Sequence, residues 1–175
     1  MSRVSFNRKR VKLKKVLGIR ARLALLALIL VTPLMLERVR SLEDTRSKQI
    51  ALASSEQLAE IVRRAGAIYW ANSIANTVRA ADAAAFDAAL GESLCVVGLA
   101  NRDLSGPMQP LTPYDQLGRR VTEDGLRCLG AWCKAQGPGI GLRVRLKLAA
   151  NPALDDAVES PFDEFGPAII RRTVG

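Results

Sequence analysis

Histidine is absent from all 175 residues. This excludes histidine metal ligation, the Ser-His-Asp and Cys-His mechanisms, and a phosphoacceptor histidine. Cysteine is scarce and odd in number: Cys95, Cys128 and Cys133 do not make a complete disulfide framework. Cys128 and Cys133 can pair if the chain is exported to an oxidising compartment, but unpaired thiols are the expectation. Aromatic residues make up 5% of the chain, and those beyond residue 90 are Tyr114, Trp132, Phe162 and Phe165, little bulk for a core of that length. Acidic residues are missing from positions 1–22, and proline from positions 37–90.

The longest feature present is the run Leu23 to Leu36, LALLALILVTPLML, fourteen residues without a charge. At about 1.5 Å per residue it covers roughly 21 Å, less than the roughly 30 Å of bilayer hydrocarbon. Extended back through Val16, Leu17, Gly18, Ile19 and Ala21 it reaches twenty-one residues, provided that Arg20 and Arg22 snorkel to the phosphate layer. The nine basic residues of positions 1–22, Arg8, Lys9, Arg10, Lys12, Lys14 and Lys15 among them, put the amino terminus on the cytoplasmic side. A cleaved signal peptide has a similar start, but Glu37, Arg38, Val39 and Arg40 follow the run at once, and the first small-x-small triplet is Ala51-Leu52-Ala53. An uncleaved anchor is therefore expected over 16–36, with residues 1–15 as a basic cytoplasmic arm.

The formal net charge of +9 belongs to that arm. Residues 1–40 hold eleven basic and one acidic side chain, whereas residues 41–175 hold fifteen basic and sixteen acidic. Arg8 to Lys15 suit anionic lipid headgroups. Without interleaved aromatics or a recognition motif, nucleic acid is not an expected partner.

From Glu37 to Leu90 the chain reads as helix, with Gly66 the interior weak point. Ser54 with Gln57 three residues on can form a capping box, which permits a break there. Leu58, Ile61, Val62, Ala65, Ile68, Tyr69, Ala75 and Val78 recur at helical spacing, an apolar stripe that needs a partner. Leu58, Ile61, Val62, Ala65 and Ile68 would serve a homodimer or a partner helix, or else pack on their own domain. After residue 90 the composition changes: eleven of thirteen glycines and seven of eight prolines lie in 91–175. The expectation there is irregular or disordered chain with a few short strands, at Cys95–Leu99, at Ala168–Ile170 and at Leu142–Leu148, where LRVRLKL alternates apolar with basic.

No catalytic constellation is legible. Gly137-Pro138-Gly139-Ile140-Gly141 lacks the Lys-Ser/Thr of a phosphate loop and reads as a turn. Asp155-Asp156 and Asp163-Glu164 do not have calcium-loop spacing. No catalytic, cofactor-binding or metal-binding residue, and no cofactor, is expected.

Lys12 to Glu56, KLKKVLGIRARLALLALILVTPLMLERVRSLEDTRSKQIALASSE, resembles the amino terminus of bacterial membrane-bound diguanylate cyclases of the rhizobial type. The resemblance implies a cytoplasmic arm, a membrane helix, a long helix entering a periplasmic Cache-like sensor domain, a second membrane helix and a GGDEF catalytic domain. Neither a second apolar span nor a Gly-Gly-Asp-Glu-Phe or Gly-Gly-Glu-Glu-Phe sequence is present, so no catalytic position carries over and the chain is not expected to be an enzyme. A reading-frame change after about residue 80 in an ancestral gene would account for the departure.

The expected fold is thus mainly α: a transmembrane signal-anchor helix over 16–36, a helical stalk over 37–90 and an irregular tail over 91–175. The expected function is the truncated, non-catalytic input portion of a cyclic di-GMP signalling protein in the bacterial inner membrane, single-pass, with the bulk periplasmic. The alternative is an intact small periplasmic sensor or scaffold that docks on a membrane signalling partner. A third reading is a secreted protein processed near Ala53.

Overall fold

Ser54 ends one helix and opens the next. In the computed structural model, which describes residues 44–136, 138–148, 151–155 and 159–174, helix α1 covers 44–52 and α2 covers Ser55–Tyr69. The Ser54 hydroxyl accepts from the Gln57 amide at 3.2 Å, and the Gln57 side chain accepts from the Ser54 amide at 2.8 Å. The capping box read in the sequence therefore satisfies two amide donors that the start of α2 would otherwise leave open.

The chain continues through α3 (Ala71–Ala75), α4 (Ala80–Leu90) and α5 (Glu92–Ala100). Gly91, at φ +76°, makes the corner between α4 and α5, whose axes differ by 103°; a side chain is disfavoured in that backbone conformation. Two single-turn 3-10 segments, Arg102–Leu104 and Tyr114–Gln116, lead to the longest helix, α6 (Leu117–Ala135), followed by α7 (Pro138–Arg145), α8 (Pro152–Asp155) and α9 (Phe162–Arg172).

Two expectations are corrected. The helix expected over 37–90 is broken, within the described residues, at 53–54, at Trp70 and at 76–79. The described residues of 91–174 form helices joined by turns and by a loop over 105–113, and contain no strand. Cys95–Leu99 lies in α5 and Ala168–Ile170 in α9; Leu142 to Arg145 close α7, and 146–148 form the turn after it. The alternation of LRVRLKL has period two, but only Val144 in it is fully buried, so the side chains follow a helix with one inward position.

α6 is the centre of the unit that begins at Thr45. It touches α2, α4, α7, α8 and α9. Its inward side chains Leu117, Val121, Cys128, Leu129 and Trp132 share one core with Leu58, Ile61, Val62, Ala65, Ile68, Tyr69 and Trp70 of the α2 segment and Ile169 and Ile170 of α9. The apolar stripe therefore finds its partner within the chain. Leu58, Ile61, Val62, Ala65 and Ile68 are each at most 6% exposed, which leaves them no surface to offer a second molecule in this fold. Val78, the last member of the stripe as read in the sequence, points away at 93% exposed.

Gly66 is a contact point. A β-carbon there would overlap the Val121 carbonyl oxygen, and one on Gly125 would overlap the Val62 carbonyl oxygen. The two glycines thus let α2 and α6 approach backbone to backbone, closer than side chains would allow. Close approach also makes up for the shortage of large side chains, since small residues fill a narrow gap at normal packing density.

Residues 1–43 fall outside the described residues, so the anchor, the basic arm and the N-terminal part of the stalk are not addressed by the fold. Among the described residues no single helix is long and apolar enough to cross a membrane; α4 and α5 qualify only together, as a bent pair.

Candidate functional site

Two places in the domain gather polar side chains. The first is inside. Trp70, fixed at the turn that ends α2, donates from Nε1 to Asp124 of α6 at 2.8 Å, and Arg127, one turn further along α6, donates to the other carboxylate oxygen at 2.7 Å. The Arg120 guanidinium lies 5.1 Å from the centre of the Trp70 ring, and Phe86 of α4 meets that ring edge-on at 6.3 Å. Arg127 also lies over Phe162, which stacks on Tyr69 at 4.7 Å. One carboxylate thereby joins α2, α6 and, through the arginine, α9.

Burial pushes the Asp124 carboxyl above its ordinary range, against the pull of the Trp70 and Arg127 hydrogen bonds. Burial also pushes the Tyr69 phenol up, with the Asp124 charge adding to it. The geometry of the cluster is that of a clamp: each carboxylate oxygen accepts a hydrogen bond, one from Trp70 and one from Arg127. A second, more exposed clamp binds Asp82 to Arg79 at 3.0 Å and to the Tyr114 hydroxyl, and these partners, the hydroxyl first, hold the Asp82 carboxyl below its ordinary range.

The second place is a surface cleft of about 390 Å³ lined by Gln49, Ala53, Gln57, Glu60, Ile61, Arg64, Thr173 and Val174. Its floor is apolar and its rim polar, the general make-up of small-molecule and peptide sites. Glu60 is already neutralised by Arg63 at 2.6 Å and Arg64 at 3.0 Å, and the Thr173 hydroxyl donates to the Ile170 carbonyl. Gln49 and Arg64, both exposed lining residues, bring hydrogen-bond donors to the cleft. The lining offers hydrogen bonds and apolar contact; it has no nucleophile beside a base.

The other sequence features are dispersed. Cys95, Cys128 and Cys133 are free thiols. Burial pushes Cys133 up to about 11 and Cys128 further, so neither forms a thiolate readily at neutral pH. Pro138 to Gly141 opens α7 instead of forming a turn, with Gly141 packed on the Cys133 backbone. Asp163 and Glu164 are exposed in the first turn of α9, where acids complement the helix dipole. No group of three His, Cys, Asp or Glu suited to a metal occurs among the described residues. The basic residues Arg8 to Lys15 and the run Leu23–Leu36 lie outside them.

Sequence reading missed both the Trp70–Asp124 bond and the cleft. Trp70 and Asp124 are 54 positions apart, and nothing local in either segment signals the pair. No family model matches the chain, and no curated protein and no solved structure matches it either.

Proposed function

We propose that the chain is a membrane-anchored helical sensor or scaffold module without catalytic activity. Residues 16–36 hold it in the bacterial inner membrane with the amino terminus inside, and the helical unit from Thr45 works on the periplasmic side. The cleft between Gln49, Arg64 and Val174 is its ligand or peptide site.

The observation that supports an intact module is the shared core. Leu117, Val121, Leu129, Trp132, Ile169 and Ile170 bury against Leu58, Ile61 and Ile68. A stretch translated in an unrelated frame is not expected to complete the core of the segment before it, because most random sequences lack mutually consistent patterning and packing. Limited proteolysis of the membrane-inserted protein tests this. Survival of one fragment from about residue 45 to the C-terminal helix is the expected result; removal of 91–175 at many sites while 45–90 persists would overturn it. Resistance to alkaline extraction separately tests the anchor.

A second reading, the input portion of a cyclic di-GMP signalling protein, is favoured by the resemblance over Lys12–Glu56. The strands such a sensor domain leads one to expect are not among the described residues. The gene's nucleotide sequence decides it: an alternative frame that continues a sensor domain supports this reading, and none sinks it.

A further inference from the structure

Residues 45–175 hold fifteen basic and fourteen acidic side chains, yet 138–148 hold Arg143, Arg145 and Lys147 and no acid. In that segment Val144 takes the buried side, leaving Leu142 and Leu146, one helical turn apart, 59% and 77% exposed. Lys147 reaches across to the carbonyl oxygens of Ala51 and Ala53, 2.8 Å from each. The residue between those two, Leu52, is 70% exposed. Three outward leucines therefore gather where the turn after α7 meets the end of α1. Arg143 and, one turn before Leu52, Lys48 are exposed on the same two segments; among the described residues of 44–56 and 138–148 the exposed acids are Asp44 and Glu56.

We propose that this end of the domain docks on an anionic lipid surface, with Leu52, Leu142 and Leu146 entering the headgroup boundary and Arg143 and Lys48 meeting the phosphates. The charge complementarity selects the occupant, because exposed leucines interleaved with basic residues are the make-up of interfacial helices. The inference rests on the membrane-anchored reading, in which seven sequence positions, 37–43, lie between the proposed anchor and the described residues.

The test is a Leu146→Trp variant of the full chain in phosphatidylcholine vesicles with and without phosphatidylglycerol, part of the lipid carrying brominated acyl chains. Trp70 and Trp132, 1% and 0% exposed, give a constant background, and Met108→Trp, at a site 63% exposed in another loop, is the control. Expected are a blue shift and bromolipid quenching of Leu146→Trp but not of Met108→Trp, only in anionic vesicles. Adding Arg143→Gln should lower the docking equilibrium about fivefold. Water-like emission in a chain that resists alkaline extraction would overturn docking while leaving the anchor standing. Loss on alkaline extraction with quenching intact would sink the anchor and keep the docking. Equal quenching in neutral vesicles would overturn the anionic assignment, and a blue shift without quenching, accompanied by dimers on cross-linking, would assign the patch to a second copy instead.

Discussion

Replacing Gly125 by alanine separates two opposed effects of one methyl group. In an open helix the change is favourable by about 1 kcal/mol, because glycine has the greater backbone freedom to lose. At Gly125 the new carbon would overlap the Val62 carbonyl oxygen and come within 3.0 Å of the Gly66 nitrogen. Both obstacles are helix backbone, which has no rotamer to move out of the way, so α2 and α6 must separate along their shared seam. Overpacking costs about 1–3 kcal/mol, and a rigid obstacle argues for the upper end. After the propensity gain, a net loss of about 2 kcal/mol is expected. With a urea slope of about 2 kcal/mol per molar, the unfolding midpoint should fall by about 1 M. The assay is urea unfolding of the full chain in mild detergent, followed by tryptophan fluorescence. The chain has two tryptophans, Trp70 and Trp132, both in this core, so the signal reports this unit alone. Gly139→Ala in α7 is the reference, since nothing lies within 4 Å of the added carbon there; its midpoint should stay level or rise by up to about 0.5 M. A Gly125→Ala midpoint equal to or above that of Gly139→Ala would refute the close crossing.

Asp124→Ala leaves the Trp70 indole donor buried without an acceptor and should cost about 1–3 kcal/mol, while Asp124→Asn, which keeps an acceptor oxygen, should cost less; urea midpoints compare them. The Asp124 carboxyl is raised in the fold, so the folded state binds the proton more tightly than the unfolded one. Its contribution is full below the unfolded carboxyl's range and declines as pH rises through the folded value, and the stability gap between the native chain and Asp124→Asn, measured from acid to neutral pH, should move in that direction. Lys147→Met removes two charge-assisted bonds to the Ala51 and Ala53 carbonyls; about 1–3 kcal/mol should be lost and amide exchange in 46–53 should accelerate first, and unchanged exchange there would contradict the tether. A thiol reagent at neutral pH should modify Cys95 in the native chain and reach Cys128 and Cys133 only after unfolding; fast modification of Cys128 would contradict its burial.

What could be read in advance was local. The capping pair Ser54 and Gln57 sits within one turn, and the stripe Leu58 to Tyr69 repeats with the helix period, so both were visible before any contact was known. The glycines misled for a physical reason. Counted by composition, glycine beyond residue 90 signals turns, yet Gly125, Gly141 and Gly166 sit in helices where backbones meet; glycine marks close approach as readily as a break. Leu142 to Leu148 misled in a different way. Of its basic residues only Arg143 is exposed, Arg145 and Lys147 being half-buried, and two of the three leucines that made the pattern look half-buried, Leu142 and Leu146, are outside. The cleft and the Asp124 clamp were illegible because each assembles residues from segments far apart in sequence, and no periodicity encodes such a meeting.

The pairing of α2 with α6 also sets a condition on biosynthesis. The oily face of α2 is complete once Tyr69 is made, but the helix that covers it begins at Leu117. At roughly 5–20 residues per second the ribosome takes about 2–10 s to cross that interval. For that time the nascent chain presents an apolar surface that α5 covers only in part, and the arrival of α6 withdraws most of the rest from chaperones, proteases and neighbouring chains.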